Sequence, residues 1–229
     1  MFAALAATRR SRFRSQGRLG LPTPAPDGLW STTLQWIVAA LVTLALAFLT
    51  YTRGGWVPIL SSFDLGLHEF GHLLFFWAPD LIVWPAGSLL QVIGPLLLAG
   101  YFLHRRDRFA VVLMVAWAAE SLNNVSVYIG DAQRMVLPLF GDDGSGAGHD
   151  WHNILTRLGL LERTDAIASF VHVVSILLFV AALGLAAWWF AQPRLARRRG
   201  SGSGRDGAGG RGRVSGRTAA PPPPPRVID

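Results

Sequence analysis

Leu65-Gly66-Leu67-His68-Glu69-Phe70-Gly71-His72-Leu73-Leu74-Phe75-Phe76 places two imidazoles and a carboxylate inside a run of apolar side chains. The surrounding segment, Val57 to Ala78, is long and apolar enough to read as a membrane span, and it also carries Asp64. Ionisable groups there are costly unless they face a partner, water or a metal ion, so the segment reads as a functional site. On a helix, residues four apart share a face, and His68 and His72 can therefore bind one zinc ion at about 2.0–2.1 Å. Glu69 then lies beside the metal, where it can take a proton from bound water and hand it to a leaving amine. Gly71 leaves room for the backbone of a substrate or of a neighbouring helix. The arrangement without metal is a pair of histidines hydrogen-bonded across helices, with Glu69 protonated or paired to an arginine.

The rest of the chain has the same character. Of 229 residues 51% are hydrophobic and 15% charged, and the apolar residues are gathered into long runs, which points to a membrane protein. Trp30 to Thr52 forms a charge-free span with Trp30, Trp36 and Tyr51 near its ends. Leu81 to Leu103 contains Pro85, Gly87 and Gly94-Pro95, which predicts a kinked or re-entrant path. Phe109 to Gly130 carries Glu120, Asn123 and Asn124, and Ala166 to Phe190 closes on Trp188 and Trp189. The expected fold class is all-α: a polytopic transmembrane helical bundle of about five spans, within a range of four to six, one of them re-entrant.

Three regions follow. Residues 1–28, with five arginines and three prolines, are expected to form a disordered basic arm. Residues 29–190 hold the transmembrane domain, with a polar loop at 131–165 that contains a short amphipathic helix of about ten residues ending near Leu161. Thr164 is a candidate cap for the last span. Residues 191–229 are an Arg/Gly/Pro-rich tail, also expected to be disordered.

The formal net charge of +7 resides in the two tails and in His104-Arg105-Arg106-Asp107-Arg108. Flanking apolar spans, these arginines suit anionic lipid head groups and topology rather than nucleic acid. Five full crossings would put the tails on opposite sides, whereas the positive-inside rule wants both inside with Arg105, Arg106 and Arg108. The apolar stretch Phe2 to Ala7 is too short for a signal peptide and precedes its arginines, so the first span is expected to act as an uncleaved anchor. All 21 basic residues are arginine, and alanine, glycine and proline are abundant. That composition fits a GC-rich bacterial genome, and a bacterial cytoplasmic membrane is the expected location. No cysteine is present, which excludes disulfides, iron-sulfur clusters, thiolate zinc sites and a cysteine nucleophile.

With His68, Glu69 and His72 in the pattern His-Glu-x-x-His on an apolar helix, the chain resembles the integral-membrane zinc metalloproteases of the site-2 protease class. In that class a later helix supplies an aspartate from Asn-x-x-Pro-x-x-x-Leu-Asp-Gly as third ligand. Here Asn123 precedes Asp131 by the same eight residues, while Ser126 holds the proline position and Gly130-Asp131-Ala132 replaces Leu-Asp-Gly. Gly94-Pro95 is similar to a glycine-proline pair found between the two motifs. The resemblance spans Val57 to Ala132 and implies Zn2+ held by His68, His72 and Asp131, with Glu69 catalytic. His149, Asp150 and His152 compete with Asp131, since two histidines and one carboxylate leave a fourth position open for water. Glu120, Asn124 and Asp131 share a helical face and, with Asn123, either support the ligands or join helices. Asp64 lies one turn before His68, where it either orients that ring or caps the helix. His104 reads as interfacial, and His172 as an interhelical hydrogen-bonding residue.

The expected activity is zinc-dependent hydrolysis of peptide bonds in membrane-protein substrates. Two other readings are a non-catalytic metal-binding membrane protein and a di-iron desaturase or hydroxylase, because His68-x-x-x-His72 and His149-x-x-His152 also resemble histidine boxes. Di-iron enzymes of that kind need about eight histidine ligands, and the chain has 6 histidines.

Overall fold

Residues 32–138 and 148–203 are described by a computed structural model. Every element among them is helical: α1 (Thr32–Thr52), α2 (Leu60–Phe75), α3 (Asp80–His104), α4 (Arg108–Gly130), α5 (Asp150–Arg157), one 3-10 turn (Leu161–Arg163) and α6 (Thr164–Ser203). The all-α class expected from the apolar runs is what the chain adopts. Four stretches are long and apolar enough to cross a membrane: Thr33–Thr52, Asp80–His104, Arg108–Gly130 and Leu161–Gln192.

The exception is α2, the helix that carries the histidines. Its 16 residues rise about 24 Å, short of a hydrocarbon core of roughly 30 Å. The expected span from Val57 to Ala78 is therefore too long, and its first residues go into a break between α1 and α2. Gly54 and Gly55 turn there at φ 62° and 84°, angles open to glycine without a Cβ penalty. A Cβ on Gly55 would also stand 2.9 Å from Val127 Cγ2. The expected interruption of the next span is absent: α3 runs unbroken through Pro85 and Pro95. Proline is tolerated in such helices because packed neighbours and local adjustment satisfy the freed backbone groups.

Packing sets the directions of the helices. Trp36 of α1 lies 6.0 Å from Trp189 of α6, and Arg108 at the start of α4 sits 5.8 Å over the same Trp189 ring. Further along, Tyr51 Oη and Ser175 Oγ are 2.9 Å apart, and His172 Nδ1 donates to Asn123 Oδ1 at 2.8 Å. So α1 and α4 run one way and α6 the other. Trp36, Ala39, Val112, Ala116, Ala119, Phe179, Ala182 and Ala186 fill the seam between these three helices, where small residues let backbones approach. Helix α3 returns against α4, joined to it by Gln91 Nε2 donating to Asn124 Oδ1 at 2.9 Å. Helix α2 lies antiparallel to α3, with Gly71 against Ala86 and Gly87, and Leu67 against Gly94.

The chain divides into two units, 1–190 and 191–229. In the second, the described residues continue α6 as helix to Ser203, into what the sequence assigns wholly to a disordered tail. The expected basic arm, part of the loop at 139–147 and the tail from 204 onward lie outside the described residues.

Candidate metal centre

His68 and His72 stand one turn apart on α2 with ring centroids 4.8 Å apart. Asp150, the first residue of α5, brings Oδ2 to 3.1 Å from His68 Nε2 and 3.2 Å from His72 Nε2. These three ligand atoms all lie within 4.8 Å of one another. A tetrahedral zinc ion with bonds of about 2.0–2.2 Å spaces its ligand atoms by roughly 3.3–3.6 Å. The donor set therefore fits a metal ion after small shifts. His72 adds a chemical argument, because its Nδ1 lies 2.9 Å from the Val83 carbonyl while Nε2 faces the Asp150 carboxylate. Both partners are acceptors. Only an imidazolium, or an imidazole with a cation on Nε2, satisfies both, and the Val83 bond fixes the tautomer that leaves Nε2 for a metal.

Two glycines make the space. A Cβ on Gly71 would stand 2.4 Å from the Ala86 carbonyl oxygen, so α2 and α3 meet backbone to backbone. A Cβ on Gly87 would stand 2.7 Å from His72 Nε2 and 2.8 Å from His68 Nε2, against both of the ring nitrogens that face Asp150.

Asp150 is held from several sides. Trp151 Nε1 donates to Ser88 Oγ at 3.0 Å, and Leu155 packs with Val125, Ile129 and Ala132. His149 caps α5 by accepting the His152 amide on Nδ1 at 3.2 Å. The proton of His149 is therefore on Nε2, which faces Asp131 Oδ2 at 3.5 Å. The His149 ring stacks on Tyr128 at 4.4 Å, and the Tyr128 hydroxyl accepts from the Asp150 amide at 3.0 Å. Burial pushes the Asp150 carboxyl up, but hydrogen bonds from His68 and His72 outweigh it and hold the group below its ordinary range, ionised as a ligand must be. His149 is held below the ordinary imidazole range, chiefly by burial and against the opposing charge of Asp131.

The third ligand expected from the resemblance, Asp131, does not join this group. It sits at the C-cap of α4, where Oδ2 accepts the Leu137 amide at 2.8 Å and Oδ1 lies 3.9 Å from Arg134 Nε. A carboxylate just past a helix end is drawn to the amides of the turn that follows. Of the three competitors, Asp150 reaches the histidines, His149 supports it, and His152 donates Nδ1–H to the Ala132 carbonyl at 2.8 Å. Asp64 neither orients His68 nor caps α2. It accepts from Trp117 Nε1 at 2.9 Å and Ser121 Oγ at 2.8 Å, and α2 starts four residues earlier, at Leu60. Glu120 accepts from Ser61 Oγ at 3.2 Å, and Asn124 donates to the Gly55 carbonyl at 3.2 Å, so both join helices or segments. Asn123 does the same through His172. Thr164 donates to the Leu161 carbonyl at 2.6 Å.

Glu69, beside His68 in sequence, lines a cavity of about 460 Å³ together with His68, His72, Asp150 and Tyr128. Leu65, Val83 and Val127 give the cavity apolar walls. Sequence reasoning missed Tyr128 and Gly87. The signal for Tyr128 was its place on the face of Glu120 and Asn124, at successive intervals of four; Gly87 gave none beyond being small. Comparison of the chain with protein-family models, with curated proteins and with solved structures gives no match in any of the three.

Proposed function

We propose that this chain is an intramembrane zinc-dependent hydrolase that cleaves peptide bonds of membrane-protein substrates. His68, His72 and Asp150 hold the ion and Glu69 is the general base. The observation that carries this reading is the position of Glu69, which lines the ligands' cavity without belonging to the ligand group. A purely structural metal site has no use for such a carboxylate. Zinc bound there supplies a water of near-neutral pKa and polarises the substrate carbonyl. Glu69 accepts the proton that the attacking water releases and passes it to the departing amine. The water oxygen ends on the new carboxyl group as the carbon-nitrogen bond breaks. The apolar walls suit the side chains of a membrane-embedded peptide.

Elemental mass spectrometry of detergent-purified wild type, His72→Ala, Asp150→Ala and Glu69→Gln, beside cleavage of a quenched-fluorescent apolar peptide, tests the reading. One zinc per chain is expected in wild type and Glu69→Gln and in neither ligand variant, with cleavage confined to wild type. Cleavage by Glu69→Gln, or well-folded wild type without metal, sinks it. Iron in place of zinc moves the reading to an oxygenase, whose non-haem iron sites also use two histidines and a carboxylate.

A further inference from the structure

Tyr128 is not a ligand, yet its hydroxyl lies 3.4 Å from the Asp150 oxygen that both histidines face, and it lines the cavity. We propose that Tyr128 is a catalytic residue whose O–H donates to the oxyanion formed as the substrate carbonyl becomes tetrahedral. This inference rests on the hydrolase reading above.

Three observations support it. The first is rigidity: the phenol is stacked on buried His149 at 4.4 Å, set edge-on to His68 at 5.7 Å and tied through its oxygen to the Asp150 amide. A donor fixed in advance needs no reorganisation when charge develops. The second is the weakly held hydrogen. Because the hydroxyl oxygen accepts the Asp150 amide, its own hydrogen points elsewhere, and the protein acceptor it meets is Asp150 Oδ2 at a long 3.4 Å. Once that oxygen turns its lone pair to a cation, a new anion in the cavity is the better acceptor. The third is competition among donors. Ser61 donates its single proton to Glu120, and Gln91 and Asn124 each commit one of two amide hydrogens to Asn124 and Gly55, so among these cavity-lining donors Tyr128 is the one whose hydroxyl lies beside the ligand carboxylate.

The test compares Tyr128→Phe with wild type, both zinc-loaded in detergent, in cleavage of the quenched peptide and in binding of a phosphinic dipeptide, whose tetrahedral anion mimics the oxyanion. The expected result is unchanged zinc affinity and KM, kcat lower by roughly 100-fold, and phosphinate binding weaker by at least about tenfold. Equal phosphinate affinity in the two proteins overturns the proposal. So does loss of zinc from Tyr128→Phe, which would make Tyr128 a positioning residue for Asp150. Phosphinate binding needs no turnover, so a zinc-loaded wild type that binds it and cleaves nothing counts against the hydrolase reading alone. Should Tyr128→Phe misfold, O-methyltyrosine at 128 keeps the ring and its oxygen and removes the hydroxyl hydrogen: phosphinate binding is then expected to weaken by the same factor, and unchanged affinity overturns the proposal.

Discussion

Gly87 stands so close to His72 that a single added carbon would lie 2.7 Å from Nε2. The helix opposite the ligands thus shapes the site by what it lacks. Gly87→Ala is expected to weaken zinc binding by roughly 10- to 100-fold, the range for residues that buttress metal ligands. Gly66→Ala, with nothing within 4 Å of its added carbon, should leave zinc binding intact. Metal competition titrations on the two variants check this, and equal affinities would refute it.

The two aspartates should separate cleanly. Asp150→Ala removes an oxygen that faces both histidines and is expected to abolish stoichiometric zinc. Asp131→Ala removes the acceptor of the Leu137 amide and should lower thermal stability while one zinc per chain remains. Retained zinc in Asp150→Ala with loss in Asp131→Ala would reverse the assignment.

Asp64 joins α2 to α4 through Trp117 and Ser121, at 0% exposure. Asp64→Ala leaves the buried Ser121 hydroxyl and the half-buried Trp117 N–H without their acceptor and is expected to destabilise the bundle by about 1–3 kcal/mol. Denaturant unfolding in mixed micelles measures the loss. The folded fraction should still bind one zinc, and loss of metal without loss of stability would instead make Asp64 an orienting group for His68.

His149 predicts an acid-sensitive fold. Folding lowers its pKa below the ordinary 6.5, so the unfolded chain takes up the proton first. Stability is then complete above about pH 6.5 and is lost as pH falls from there towards the folded-state value. Thermal unfolding of metal-free protein from pH 7 to pH 5 should show a falling midpoint, with a shallower fall in His149→Phe. Parallel profiles would remove His149 as the cause.

Four stretches are long and apolar enough to cross a membrane and α2 is too short to add a fifth; if each of the four crosses once, parity predicts both ends of the chain and the Arg105–Arg108 loop on one side. That arrangement would remove the conflict that five crossings create with the positive-inside rule. The chain has no cysteine, so single cysteines report without background. Cysteines at Ser15, Arg105 and Ser215 should react with an impermeant maleimide only after permeabilisation, and one at Leu158 should react in intact cells. Tails that label on opposite sides would mean that α2 spans after all.

The helical class and four of the spans were legible because apolar run length is a property of sequence alone. His68 and His72 were legible because one helical turn brings them together. Asp150 was legible only as one of several candidates, since its approach depends on how Trp151 and Leu155 dock α5, a contact between distant segments. Val57 to Ala78 misled for a local reason: its apolar run continues through non-helical residues at both ends, 57–59 before the helix starts at Leu60 and 76–78 after it stops at Phe75. Gly87 stayed invisible because its meaning lies in the partner that it lets in.

The sequence separation of 82 between His68 and Asp150 also sets a timetable. At about 5–20 residues per second of synthesis, the second histidine emerges roughly 4 to 16 s before the carboxylate that completes the set. In that interval α2 offers the two histidine nitrogens of the group without the Asp150 carboxylate that faces them both. The group of three is therefore complete only after α3, α4 and the start of α5 have been made, so under the proposed reading competence would arrive with assembly of the bundle.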